Sequence, residues 1–335
     1  MSEVDGRDLA PGARSGSPER TPGSEQPVLW TRLVLVLLVS VYVVVNLTWV
    51  RRFAGGVFPE DMVALSTALE YLQALRAGEL GLWDVYFDSM QPLPPLAYAL
   101  ALHIAPAEHA PLYVNTLCVA ATSIFTYLAA GKLYGKRASL LAAFLVLTCP
   151  GVLTVSRTAY AAPMVSAMLA GLIACQVHVD RFRNRNWSLA WGLLGGLSLL
   201  TKFSALPYVL TAVAAALLSV QRRSPSELGK GPSPGLVNYS MSVGLMLVLA
   251  GPHYAQEGSL RAFVTGSYHD LQPQLSANLI CDLIEYPLFQ FRVQLGGVFF
   301  LFLLAALLGL LVKLIGSRRS EVQLCEREIL ATLLA

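Results

Sequence analysis

From Leu33 to Val50 the chain runs eighteen residues without a charged side chain. A stretch of this length matches the roughly 20 apolar residues a helix needs to cross the hydrocarbon core of a bilayer. In that environment the backbone must satisfy its own hydrogen bonds, which leaves helices or a closed barrel. Further runs of the same kind follow at Pro111–Ala130, Leu140–Thr154, Pro163–Val179, Leu236–Gly251 and Leu295–Ile315. The run from Trp187 to Val220 is too long for one crossing, and Lys202 and Pro207 interrupt it, so it reads as a hairpin of two helices. The composition agrees: 55% of residues are hydrophobic and 13% charged, against about a quarter charged in a soluble protein. The expected fold class is therefore an all-α, polytopic transmembrane helical bundle of about eight spanning helices. A soluble globular domain is excluded. The net charge of +3 reflects topology and gives no reason to expect a nucleic-acid partner.

Basic clusters orient the bundle. Lys132-Lys136-Arg137, Arg181-Arg183-Arg185, Arg222-Arg223-Lys230 and Lys313-Arg318-Arg319 belong on the cytoplasmic side by the positive-inside rule. With the N-terminus inside, one arrangement satisfies all four. It leaves seven of the 24 Lys and Arg (Arg51, Arg52, Arg76, Arg157, Lys202, Arg261 and Arg292) outside or near the outer leaflet. It also requires that the short, proline-led segment 92–106 not cross, so this segment is expected as an interfacial or re-entrant helix. Two outer loops result, 51–110 and 252–292. Residues 1–29 form a polar, disordered cytoplasmic tail, residues 30–315 the membrane module, and residues 316–335 a cytoplasmic segment and the start of an incomplete apolar helix. Cys118, Cys149 and Cys175 lie in apolar runs and read as packing residues, while Cys281 and Cys325 fall on opposite sides and should not pair.

The first outer loop carries the most chemistry. Met62, Leu65, Leu69, Leu72 and Leu75 recur at helical spacing, which predicts an amphipathic helix lying on the membrane surface. Glu60 and Asp61 stand at its start, after Pro59. Such a carboxylate either stabilises the helix N-terminus through the dipole or takes a proton from a substrate hydroxyl as general base. Lys202 reads either as a snorkelling lysine at a helix end or as a cation facing an anion, and Arg157 as an interfacial anchor or a phosphate ligand. His253 and Tyr254 follow a helix exit, where both read as interface residues. Asp84 and Asp88 are solvated loop acids or supporting carboxylates, and Tyr268-His269-Asp270 are neighbours that rarely face one another usefully. Asn46-Leu47-Thr48, Asn186-Trp187-Ser188 and Asn238-Tyr239-Ser240 match a glycosylation pattern by chance. Gly192 and Gly196 give the small-xxx-small spacing of close helix packing.

In order along the chain come one helix, an acidic pair, an amphipathic helix and Gln91-Pro92-Leu93-Pro94-Pro95-Leu96-Ala97-Tyr98. These are followed by Gly135-Lys136-Arg137-Ala138, Cys149-Pro150, Ser156-Arg157, and the stretch from Gly192 to Thr201-Lys202. The order and spacing, over roughly residues 31–290, resemble the GT-C glycosyltransferases, in particular the protein-mannosyltransferase and aminoarabinose-transferase-like group (family 39/83-like). The resemblance implies a GT-C-type bundle with interfacial helices in the first outer loop, in the plasma (inner) membrane, with a cytoplasmic N-terminus and an extracytoplasmic active site. It implies inverting transfer of a sugar from a polyprenyl-phosphate donor to an acceptor hydroxyl on a protein or lipid-linked glycan, with membrane lipid as a further partner. Asp61, with Glu60, would be catalytic. Lys202, Arg157, His253 and Arg261 would face the donor phosphate. No cofactor and no metal are expected. The family's Asp-Glu order is here Glu60-Asp61, and its second-loop acid is absent from Thr158-Ala159-Tyr160-Ala161-Ala162-Pro163. A non-catalytic relative and a lipid or solute transporter are the alternatives.

Overall fold

A computed structural model describes residues 26–53, 59–79, 81, 91–107, 109–158, 160–221 and 234–255. Among these the chain is helical and forms no strand. In order come α1 (Gln26–Phe53), α2 (Pro59–Ala77), α3 (Leu93–Ala101), α4 (Ala110–Tyr134), α5 (Lys136–Thr148), α6 (Pro150–Ser156) and α7 (Ala162–His178). Next come α8 (Arg185–Thr201), a 3₁₀ turn at Phe203–Ala205, α9 (Leu206–Gln221) and α10 (Pro234–Tyr254). Of the expected tail 1–29, residues 26–29 are instead the first turn of α1; its first 25 residues, the Leu295–Ile315 span, the segment 316–335, Arg261, Asp84, Asp88, Tyr268-His269-Asp270, Cys281 and Cys325 lie outside the described residues.

Among the described residues, four stretches are long and apolar enough to span a bilayer: Leu29–Arg52, Ala110–Tyr134, Phe203–Gln221 and Pro234–Tyr254. The expected span Leu140–Thr154 falls in a pair of helices, α5 and α6, that are apolar and long enough together but bent by 53° where they meet. Pro150 has no N–H to continue the α5 ladder, and its ring drives the preceding residue out of the helical region. Cys149 accordingly sits at φ −62, ψ 121. α7 and α8, at 17 residues each, reach about 26 Å, just enough for the shortest crossings. The expected hairpin break holds: α8 stops at Thr201, and Lys202 is extended at φ −161, ψ 140. At nine residues, α3 is about 14 Å long and far short of crossing.

Turn chemistry fixes the reversals. Between α4 and α5, Gly135 sits at φ 84, a left-handed position suited to glycine, which explains one element of the Gly135-Lys136-Arg137-Ala138 string. Before α8, the Asn184 side chain accepts from the Trp187 N–H, a normal N-cap.

Packing then sets the order in space. α4 packs on α7, α5 and α1, α7 on α8, and α8 on α10. α8 lies close against α10, where a Cβ on Gly192 would stand 2.3 Å from the Ser242 carbonyl oxygen and one on Gly195 2.2 Å from the Met246 Cε. The small-residue spacing read in the sequence is thus a helix seam. The Ser242 hydroxyl donates across it to the Ser188 carbonyl at 2.7 Å.

The face of α2 differs from expectation. Leu65, Ala68, Tyr71 and Leu72 are buried, with the last three in a cluster with Tyr98, Ala99 and Met164. Leu69 and Leu75, assigned to the same apolar stripe, are exposed, as is Val63. Burial against α3 and α7 takes one strip of the helix, and the remaining apolar residues face outward.

Candidate functional site at one end of the bundle

Alternating helices give the bundle two ends, and side-chain contacts identify each. At one, Thr31 near the start of α1 meets Tyr127 late in α4 at 3.5 Å, and Gly235 at the start of α10 meets the Arg181 carbonyl between α7 and α8. Lys132, Lys136, Arg137, Arg181, Arg183 and Arg185 belong to this end by their positions in the chain. The other end gathers the C-terminal parts of α1, α6, α8 and α10, the starts of α4 and α7, and the α2–α3 pair. Every candidate residue of the sequence reading that lies among the described residues is at this second end.

Arg157 ends α6 and turns toward α1. Its Nε donates to the Asn46 Oδ1 at 3.0 Å, and its guanidinium carbon lies 4.5 Å from the centroid of the Trp49 ring. Asn46 is 1% exposed, and its Nδ2 donates to the Thr116 hydroxyl at 2.6 Å. That hydroxyl in turn donates to the Leu112 carbonyl at 2.8 Å. Within the apolar bundle the Arg157 charge is thus held by an amide and an aromatic face, as an intramembrane polar group must be. Both amide atoms of Asn46 are engaged inside the protein, which accounts for the glycosylation pattern there being a chance match.

Asn115, one position earlier on α4, faces a different partner. It is fully buried, and its Nδ2 donates to the carbonyls of Thr158 at 2.7 Å and Tyr160 at 2.9 Å. Those carbonyls lie in the α6–α7 connection, outside any helical ladder. From the other side the Lys202 Nζ lies 5.9 Å from the centroid of the Tyr160 ring, within reach of a cation–π contact. Lys202 itself is exposed. The structure therefore joins Arg157 and Lys202 through one short turn, although 45 residues separate them in the sequence.

His253 is in the same region but differs in setting. Far from sitting at the interface, it is fully buried, stacked on Phe203 at 6.0 Å and edge-on to Tyr254 at 5.4 Å. Tyr254 is also more than a belt residue. Its hydroxyl donates to the Leu199 carbonyl at 3.1 Å, one of the last carbonyls of α8, which the break at Lys202 deprives of a helical partner. Glu60 and Asp61 occupy the first turn of α2, as expected; their backbone is described and their side chains are not. Among the described residues, then, Arg157 and Lys202 lie at the same end on different partners, Trp49 and Tyr160, His253 packs on Phe203 just after Lys202, and Asp61 stands at the start of a helix on that end.

A half-open apolar cavity of about 250 Å³ lies between α4, α6 and the start of α7, lined by Val119, Gly151, Val155 and Pro163 among others. It opens beside the bend at Cys149-Pro150. Arg157, held on α1, and Lys202 are not among its lining residues, so the cavity and the two cations are separate features.

Sequence reasoning missed Asn46, Trp49, Asn115 and Tyr160. The signal available was asparagine within apolar helices, since such residues face the bundle interior and find partners there.

These features define an all-helical membrane protein with a polar, cation-bearing end. Residues 90–233, under half of the chain, match the family model described as dolichyl-phosphate-mannose-protein mannosyltransferase. The matched stretch includes α3, Arg157 and Lys202, and it supports a GT-C-like membrane glycosyltransferase. No curated protein matches the chain.

Proposed function

We propose that the protein is an inverting glycosyltransferase that moves a sugar from a polyprenyl-phosphate donor to an acceptor hydroxyl, on a protein or a lipid-linked glycan, on the extracytoplasmic face. The observation that carries this reading is the assembly of Arg157 and Lys202 at one end of the bundle, the end on which α2 also begins with Glu60 and Asp61. Positive-inside bias supports the sidedness, because the Lys132 and Arg181 clusters belong to the opposite end.

In this mechanism Asp61 takes the acceptor proton as the hydroxyl oxygen attacks the anomeric carbon. The bond from that carbon to the phosphate oxygen breaks, and the polyprenyl phosphate leaves as an anion. Negative charge grows on the phosphate in the transition state, and preorganised cations there lower the barrier. Lys202 is exposed and able to reach a substrate. Arg157, anchored on Trp49 and Asn46, supplies a fixed positive charge at the same end of the bundle. His253 and Arg261 complete the set of candidate phosphate residues, His253 from behind the Lys202 turn, with Glu60 the second carboxylate beside Asp61.

The test is sugar transfer in membranes carrying wild type or Asp61→Asn. Loss of a general base is expected to lower the rate by about 10²- to 10⁴-fold. Equal rates at equal expression would remove Asp61 from this role.

A further inference from the structure

Asn115 belongs to no sequence motif, and the reaction above does not use it. It is nonetheless fully buried, and its side chain is committed to two backbone carbonyls of a connection. An amide nitrogen has two N–H donors, and here they meet the Thr158 and Tyr160 carbonyls at 2.7 and 2.9 Å. The reversed amide would set its oxygen against two carbonyl oxygens, so the chemistry fixes which atom faces the turn. What the two bonds hold is a segment with a cation at each side. Arg157 immediately precedes Thr158, and the Tyr160 ring carries the Lys202 ammonium at 5.9 Å. From Thr158 to Pro163 the chain has no charged residue, so no acid in the turn competes for either cation.

We propose that Asn115 is a positioning residue: through the Thr158 and Tyr160 carbonyls it sets the Tyr160 backbone so that the Tyr160 ring guides Lys202 onto an anion. The anion class is the phosphate of an isoprenoid-linked substrate, and this part rests on the transferase reading. Asn115 touches no substrate; it acts through the turn. The ring of Tyr160, not its hydroxyl, is the guide, because a cation–π contact needs only the aromatic face.

The experiment uses the full-length protein in detergent micelles, with farnesyl phosphate and farnesol as paired probes. Asn115→Leu removes both donors at similar size. Tyr160→Leu removes the guide at an exposed position, so its folding is not at issue. Tyr160→Phe keeps the ring. Wild type is expected to prefer farnesyl phosphate over farnesol. Asn115→Leu and Tyr160→Leu are expected to reduce that preference about tenfold, in the range of a single cation–π interaction, and Tyr160→Phe to retain it. A merely structural Asn115 would lower thermal stability and leave the preference intact, which would overturn the inference and spare the transferase reading. If wild type shows no preference and Lys202→Met changes nothing, the phosphate reading fails instead. Labelling of Lys202 by an amine-reactive reagent, read by peptide mass spectrometry, then judges Asn115 by itself. A rate raised severalfold in Asn115→Leu upholds its positioning of the lysine, and an unchanged rate overturns it.

Discussion

The two ends of the bundle are built on different physics. At the end bearing the Arg181 cluster, Phe182 is fully buried and meets Trp191 and Tyr239 edge-on, each at 5.3 Å. To reach that position Asp180, Arg181 and Phe182 all adopt positive φ, at 45, 54 and 63°, a region costly for residues with a Cβ. The Asn238 side chain donates to the Phe182 carbonyl at 2.8 Å, and Gly235 leaves room for the Arg181 carbonyl, 2.5 Å from where a Cβ would be. Aromatic contact and backbone closeness together fix a strained turn. At the Arg157 end, ordering instead runs through side-chain amides, hydroxyls and cations, and Lys202 stays exposed. A helical membrane protein can thus hold one end shut by packing while the other keeps charge available to a ligand.

Substitutions should separate the two ends. The largest effect is expected at the seam leading to the closed end. Gly192→Leu forces a side chain into the Ser242 carbonyl and should lower stability by about 3 kcal/mol or more, visible as a large fall in Tm of the purified protein. Lys202→Met should do the reverse: little change in Tm, with transfer activity down about 10²-fold, the usual consequence of removing one group that stabilises developing charge. If Tm falls instead, Lys202 is structural and the contrast between the ends disappears. Asn46→Leu should blur the division, because Asn46 is buried at the charged end. It should cost about 1 to 2 kcal/mol and also weaken activity, since Arg157 is deprived of its Nε partner. The smallest effect is expected for Tyr254→Phe. Removing the hydroxyl that reaches the Leu199 carbonyl should cost about 1 kcal/mol, measured as a slight drop in Tm with activity retained.

Much of the helix layout was legible in the sequence because it depends on local properties. Apolar length marks the spans, Lys202 by its charge and Pro207 by its ring mark the hairpin, and Gly192 and Gly196 mark a close crossing. The Pro150 break was also local, yet the run 140–154 reads as unbroken because hydropathy does not register a missing N–H. The apolar stripe of α2 is divided by packing. Spacing identifies which residues share a face, but Leu69 and Leu75 are left outside because α3 and Met164 of α7 cover only part of that face. The polar network was the least legible part. Asn46 meets Arg157 across 111 residues and Thr116 across 70, and nothing local to any one of them announces the partner.

The sequence alone determined that the chain lives in a membrane, where it turns, and which loops collect basic charge, because the cost of burying charge and unpaired backbone in hydrocarbon acts on each segment separately. Only the tertiary structure decided that Arg157 meets α1, that Asn115 bonds the Thr158 and Tyr160 carbonyls while Lys202 approaches the Tyr160 ring, and that His253 is buried. Those outcomes depend on which helices become neighbours, and that is settled by many packing contacts acting together across distant parts of the chain.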